Sequence, residues 1–247
     1  MNKIGLIPAR LGSTRLKNKP LELIEGYPMY FHVYNRAKMS ILDDIYLCTD
    51  SKDIVKQANE YNIPTILTSV KHKNGTERCG EASTKLRLNK NDLIINIHGD
   101  EPLVDPKTIN KVTKFFLTNQ FEIVFPHLLM RRPLKNNLNS VKIVTNQDSK
   151  VIYMSRSSIP SDFSKLAEIK KQCGITAFTK KSLDYYNSLK PSLNEKIEKI
   201  ELLRAVDNNL NLGSVLVSNE SISVDTPEDL KKIRKLIKLD KIKNKYL

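Results

Sequence analysis

The 247-residue sequence is poor in the residues that build disulfide scaffolds and metal clusters. Its three cysteines, Cys48, Cys79 and Cys173, lie far apart and form no CxxC pair. That spacing argues against a disulfide framework and a zinc site, so reduced, mostly buried thiols are expected. No apolar run approaches the roughly 20 residues that cross a bilayer, and "MNKIGLIPAR" has too short an apolar stretch for a secretory signal. A cytoplasmic protein without membrane contact is expected. Glycine is scarce where a phosphate-binding sequence would use it. The stretch "IPARLGSTRLKNKPL", residues 7–21, holds only Gly12. It is therefore neither a GxGxxG turn nor a GxxxxGK[ST] loop. No Ser/His/Asp or Cys/His arrangement has a supporting context, and His32 and His127 sit in apolar patterns that predict packing rather than catalysis.

Positive charge is abundant. Lys and Arg number 41 against 27 Asp and Glu, a formal net charge of +14. Such a balance raises nucleic-acid binding as a function class. The lysines, however, are spread along the chain, and the densest cluster is the terminal "KKIRKLIKLDKIKNKYL". There Leu230, Ile233, Leu236 and Ile237 recur at helical spacing, so the basic residues read as the solvated face of a last helix. No zinc finger or RNP-type aromatic motif appears. A basic nucleic-acid-binding protein stays the alternative from another class, while acidic small substrates suit the same charge.

Short apolar runs alternate with helical patterns in the first half. "KIGLIPA", "DIYLCTD", "IPTILTS" and "DLIINIHGDEP" read as strands, and "PMYFHVYNRAKM", "SKDIVKQANEY", "TERCGEASTKLRL" and "DPKTINKVTKFFL" as helices. This alternation predicts parallel βαβ units, whose ligands sit at the carboxyl ends of the strands. In the second half "EIVFPHLLM", "SVKIVTN", "KVIYMS", "CGITAF" and "LGSVLVS" read as strands, and "ISVD" as a strand ending at Asp225. The segment "RSSIPSDFSKLAEIKKQ" reads as a long loop, and "NEKIEKIELLRAV" as one helix. One α/β domain over residues 1–247 is expected, a mostly parallel sheet flanked by helices, with an inserted β-rich subregion over roughly residues 125–190.

Four segments carry groups with chemistry. The 7–21 loop offers hydroxyls at Ser13 and Thr14 and cations at Arg10, Arg15 and Lys19, which could surround a polyphosphate or lie on a solvated loop. In "HGDEPL", Asp100 and Glu101 end an apolar strand and supply the hard oxygens that magnesium takes, or form an ordinary turn. "ISVDTPEDL" has a complete helix start in Thr226, Pro227 and Asp229, which leaves Asp225 as a possible second carboxylate. In "KHKNGTERCGEA", Gly75 reads as a turn and Thr76 as a cap, leaving Arg78 and Glu81 open to function.

In this order the segments "IPARLGSTRLKNKPL", "TDS", "NGTER" with "EA", "GDEP", "SR" with "IP", and "VDTPEDL", spanning residues 7–230, resemble the CMP-sugar-acid synthetases, and the CMP-Kdo synthetase (3-deoxy-manno-octulosonate cytidylyltransferase) family in particular. The resemblance implies a Rossmann-like nucleotidyltransferase fold, a homodimer, CTP and a sugar acid as substrates, magnesium as cofactor, and a CMP-sugar product for a surface polysaccharide. By matching position it implies nucleotide binding by Pro8, Ala9, Arg10, Ser13, Thr14, Arg15, Lys19, Arg78, His98 and Gly99. Arg10, Lys19 and Asp100 would be catalytic, and Asp100 with Asp225 would hold magnesium. Arg15, Arg156, Gln172, Phe178 and Glu201 would face the sugar acid.

The acceptor half departs from the family pattern. Gln172 and Phe178 stand where the family usually has His and Tyr, Leu202 follows Glu201 where a Gln is usual, Ser161 replaces an aromatic after "IP", and His98 replaces the Gln before "GDEP". Fewer hydrogen-bonding groups change which acceptor a site selects. The acceptor is therefore open between Kdo and a related 3-deoxy or amino-substituted sugar acid. A nucleotidyltransferase with another acceptor or nucleotide is the nearer alternative.

Overall fold

The computed structural model describes residues 1–12, 16–130, 137–161, 168–219 and 221–247. The chain opens with β1 (Lys3–Ala9), a small hairpin of β2 (Leu23–Ile24) and β3 (Tyr27–Pro28), and α1 (Met29–Lys38). It continues through β4 (Asp44–Thr49), α2 (Lys52–Glu60), β5 (Thr65–Leu67), α3 (Gly75–Lys85), β6 (Leu93–Ile97) and α4 (Pro106–Thr118). The second half holds β7 (Ile123–Met130), β8 (Lys142–Thr145), β9 (Val151–Ser155), β10 (Ile169–Gln172) and β11 (Ile175–Thr179). It closes with α5 (Lys180–Ser188), α6 (Leu193–Glu198), α7 (Leu203–Asp207), β12 (Leu212–Leu216) and α8 (Pro227–Leu239).

Among the described residues, ten strands form one sheet in the order β5-β4-β1-β6-β11-β7-β10-β8-β9, with β12 beside β7. β5, β4, β1 and β6 run parallel. From β11 to β9 every neighbouring pair on this path is antiparallel, so an antiparallel extension grows from a parallel core. β6 is the seam. Its five residues are all buried, and alternation sends Leu93, Ile95 and Ile97 into the cluster that contains α1 and α4 side chains. Ile94 joins the opposite cluster, with Cys79 and Ala82 of α3 and Leu183 and Tyr186 of α5. Asn96 shares that second face.

Local signals explain most boundaries. Ser51 caps α2 by accepting from Ile54 N–H, and Thr226 and Asp229 form a reciprocal capping box behind Pro227 at the head of α8. Leu230, Ile233 and Ile237 are buried from α8, as its spacing predicts, whereas Leu236, expected on the same face, is exposed. The cap of α3 differs from expectation. Asn74 accepts from Glu77 N–H, which leaves Thr76 at the second helical position and able to face a cavity.

Three further assignments are corrected. Part of the expected loop before Cys173 is strand β10, seated between β7 and β8; only Ile169 of its four residues is buried, so it lacks the apolar alternation that marks a strand. The single helix expected over "NEKIEKIELLRAV" is α6 and α7, broken at Lys199, whose φ of 55° is left-handed. The Arg156 guanidinium takes the carbonyls of Glu198 and Lys199, which a continuous helix would need for its own ladder. Residues 222–225 form no strand, although Val224 N–H donates to Asp100 O at 2.9 Å and so docks that segment against the end of β6.

A candidate active site at the carboxyl ends of the strands

A cleft of about 510 Å³ opens where β1 and β6 end. One wall is the start of the basic loop, with Pro8, Ala9, Arg10 and Gly12, and it continues into Lys19 and Pro20. Gly75, Thr76 and Arg78 of α3 form a second wall, His98, Gly99 and Asp100 form the floor with Asn96, and Asp225 lies at the loop side. Val141, Gln172, Thr176 and the turn from Lys199 to Leu202 close the remaining side. Tight backbone contact makes the floor possible. A Cβ on Gly99 would fall 2.4 Å from the Pro8 carbonyl oxygen, and one on Gly75 would fall 2.9 Å from Pro8 Cγ. The two glycines let α3 and the β6 turn press on the end of β1.

Charge is concentrated where the loop meets the acids. Asn18, at a left-handed φ of 54°, turns the chain into a short 3-10 turn over Lys19–Leu21, and buried Pro20 anchors it. Lys19 Nζ then lies 2.6 Å from Asp100 Oδ2 and 3.0 Å from Asp225 Oδ1. Burial opposes ionisation of Asp100, but Lys19, His98 and the Ser223 hydroxyl outweigh it and hold its carboxyl below the usual carboxylate range. Two residues far apart in sequence thus share one cation. Their oxygen donors, already gathered around an ammonium group, are the type a hard divalent cation takes.

Beside them, Glu101 is buried and its carboxyl is pushed up by that burial. His98 Nδ1 is 3.8 Å from Glu101 Oε1, and His98, Asp100 and Glu101 bring ligand-type atoms within 4.8 Å of one another. Glu201 faces the cleft from the α6–α7 turn, and the surrounding protein pushes its carboxyl up. Its backbone oxygen accepts from Tyr186 O–H at 2.8 Å, and Arg204 stacks over the Tyr186 ring, fixing the turn from behind.

The sequence-predicted residues divide clearly. Pro8, Ala9, Arg10, Lys19, His98, Gly99, Asp100, Gln172, Glu201 and Asp225 all line the cleft. Ser13, Thr14 and Arg15 lie outside the described residues. Arg78 lines the wall too, but its guanidinium is held by Asp50 Oδ2 at 2.7 Å and Thr68 Oγ1 at 2.5 Å, so it braces α3 against the end of β4. Arg156 does not reach the cleft. Its Nε donates to Glu198 O at 2.7 Å, Nη1 to Leu138 O at 2.7 Å and Nη2 to Lys199 O at 3.0 Å, which uses every guanidinium nitrogen on backbone. Phe178 is a core residue. It is fully buried, with its ring 5.9 Å from that of Tyr186, two positions along β11 from cleft-lining Thr176.

Thr76, Asn96, Val141, Thr176, Lys199 and Ile200 also line the cleft and carried no functional expectation. One sequence signal was available. Asn96 is the only polar residue in the apolar run "LIINI". His32 and His127 are packed as expected: His32 lies between Ile24 O and Tyr246 O–H, and His127 against Ser214 Oγ. The three cysteines form no disulfide, with Cys48 and Cys79 buried.

A cationic loop opposite paired carboxylates, at the carboxyl ends of a parallel sheet, defines a class: α/β enzymes that move phosphorus-containing groups. Comparison with known proteins narrows the class. Residues 4–236 match the cytidylyltransferase family model. The chain is 40% identical over 232 residues, 92% of its length and 97% of the other's, to a 3-deoxy-manno-octulosonate cytidylyltransferase of a Nitratiruptor species. It is 36% identical to the enzyme of the same name from Lawsonia intracellularis, over 94% of this chain and 93% of that one. The solved structure of CMP:2-keto-3-deoxy-manno-octonic acid synthetase complexed with CTP superposes with a TM-score of 0.93 at 30% identity, covering 97% of this chain and 99% of that one. The chain belongs to the cytidylyltransferase family.

Proposed function

We propose that the protein is a magnesium-dependent cytidylyltransferase that transfers CMP from CTP to a hydroxyl of Kdo or a closely related 3-deoxy sugar acid. The product is a CMP-sugar for a surface polysaccharide, with pyrophosphate released. The observation that carries this reading is the Lys19 ammonium shared by Asp100 and Asp225 at the mouth of the basic loop. The family relationship and the likeness to a CTP complex support cytidine as the nucleotide.

In the reaction the sugar hydroxyl oxygen forms a bond to the α-phosphorus as the bond to the pyrophosphate oxygen breaks. The hydroxyl proton leaves to solvent, and the electron pair of the broken bond departs with pyrophosphate. Phosphoryl oxygens repel the incoming oxygen, and charge builds on the leaving group, so fixed positive charge lowers the barrier. Arg10, exposed on the loop, and Lys19 supply that charge. Asp100 and Asp225 fit magnesium by donor type, and when bound it would neutralise phosphate charge and acidify the attacking hydroxyl. His98 and Gly99 border the nucleotide, and the Pro8 carbonyl closes over Gly99. Gln172, Glu201 and the turn around it face the acceptor.

Burial of Phe178 removes one sequence argument against Kdo, since a side chain in the core reads no substrate hydroxyl. A homodimer is the proposed assembly. The sheet ends at β9, which exposes Ile152, and α6 exposes Leu193 and Ile197, apolar groups suited to a second copy. Light scattering of the purified chain tests this, and a monomer at micromolar concentration refutes it.

Activity is tested by pyrophosphate release from CTP with magnesium and a panel of Kdo, amino-Kdo and nonulosonic acids. Release that needs both metal and acceptor is expected. No CMP-sugar from any acceptor defeats the acceptor class, and a preference for GTP or ATP defeats the cytidine assignment.

A further inference from the structure

Asn96 is an oddity in the sheet. It occupies β6 directly across from Thr176 of β11, and both side chains lie on the face that forms the cleft. Only 3% of Asn96 is exposed. Its Nδ2 donates to Thr76 Oγ1 at 3.5 Å, and that hydroxyl donates onward to Glu201 Oε2 at 3.4 Å. Because Thr76 gives its only proton to Glu201, its oxygen needs a donor on the other side. This fixes the amide with its NH2 toward Thr76 and its carbonyl away from it. Asn96 Oδ1 is then a buried acceptor with no partner among the described residues.

A buried carbonyl without a donor is costly, and native proteins rarely keep one without use. Here the atom belongs to a residue that lines the cleft, on the side formed by Thr176, Gln172 and Glu201. Its relay partner Glu201 lines the same space. Every polar atom in the relay that is left to serve a ligand is an oxygen, which suits a hydroxyl-rich segment rather than an anionic one.

We propose that Asn96 Oδ1 is a specificity-determining contact of the acceptor subsite, accepting a hydrogen bond from one hydroxyl of the sugar acid. Thr76 is the positioning residue that orients the amide and ties it to Glu201. This rests on the cytidylyltransferase reading above. It also adds to that reading a discriminating group on the parallel half of the sheet, outside the 141–202 region that supplies the rest of the acceptor wall.

The test uses the intact chain, CTP, magnesium and Kdo, with initial rates of pyrophosphate release, and repeats them with Kdo analogues that each lack one hydroxyl. Asn96→Ala should raise the acceptor KM about fivefold, the loss expected for one neutral hydrogen bond, with the CTP KM unchanged. Wild type should disfavour one analogue by a similar factor, and Asn96→Ala should no longer distinguish that analogue from Kdo. Thr76→Val, nearly isosteric, should lose discrimination against the same analogue. An unchanged acceptor KM in Asn96→Ala, an equal rise in the CTP KM, or retained discrimination in either variant overturns the proposal. If Asn96→Ala does not fold, Thr76→Val and the wild-type series decide, and a wild type that accepts every analogue equally overturns it. Failure of the broader reading looks different: wild type then releases no pyrophosphate with any sugar acid.

Discussion

Arg156 gives the sharpest test of the geometry, because the family resemblance puts it on the substrate and the structure puts it on the backbone. Consider Arg156→Met, which keeps the stem and removes the fork. Three carbonyls lose a charged donor: Glu198 O, Leu138 O and Lys199 O. Two of those bonds are exposed and their acceptors turn to water, so each contributes only a few tenths of a kcal/mol, while the part-buried bond to Glu198 O contributes about 1.5–3 kcal/mol. The sum is about 3 kcal/mol, which for a chain of this size lowers the melting midpoint by about 6–12 °C. The turn that Arg156 holds runs straight into Ile200, Glu201 and Leu202 of the cleft wall. The acceptor KM should therefore rise with the thermal loss, and the CTP KM should hold. Scanning calorimetry beside a two-substrate kinetic matrix reads both effects. An unchanged midpoint with an acceptor KM at least about tenfold higher, the loss of one charged contact, would refute the reasoning and return Arg156 to the substrate.

Other outcomes follow from the same geometry. Asp100→Asn keeps the shape but halves the carboxylate pair around Lys19, so magnesium-dependent turnover should fall at least about a hundredfold; wild-type rates at saturating magnesium would remove Asp100 from the metal site. Gly99→Ala drives a methyl group into the Pro8 carbonyl and should cost about 1–3 kcal/mol in urea denaturation while weakening CTP binding; a neutral result would show that the β1–β6 approach can relax. Burial holds His32 and His127 down at about 4 from an ordinary value of 6.5, so both fold in the neutral form. The unfolded chain takes up these protons first as pH falls. Stability from each residue is complete above pH 6.5 and is lost toward pH 4, about 3 kcal/mol for fully buried His32. Urea midpoints at about pH 7.5 and about pH 5, on either side of the ordinary histidine value, should differ, and His32→Gln should narrow the gap; pH-independent midpoints would exclude this linkage.

The parallel half was legible in the sequence because each of its signals is local. Ser51 and Pro227 mark helix starts, and continuous apolar runs such as "LIINI" mark buried strands. The loop side of the cleft was legible for the same reason, since Arg10, Lys19, His98 and Asp100, which all line it, sit on loops fixed by the strands before them. What failed was long-range. Nothing local to Arg156 announces that carbonyls 42 and 43 residues away will occupy its fork. Phe178 and Thr176 share one strand face, and only the position of Tyr186 decides which is core and which is cleft. β10 stayed hidden because a strand with three half-buried polar residues carries no periodic apolar pattern.

The seam at β6 has a consequence for how this enzyme can be altered. Arg10, Lys19, His98 and Asp100 hang from the parallel strands, while Val141, Gln172 and the 199–202 turn hang from the antiparallel strands and the helices packed on them. Side chains on that second set can be exchanged without moving the Pro8–Gly99 contact or the carboxylate pair. Asn96 is the exception, since it belongs to the parallel half and pairs with Thr176 of the antiparallel half. A chimera that swaps residues 137–202 between relatives should therefore inherit its nucleotide from one parent and most of its acceptor preference from the other. The share of preference that does not transfer should trace to a single amide on the shared strand.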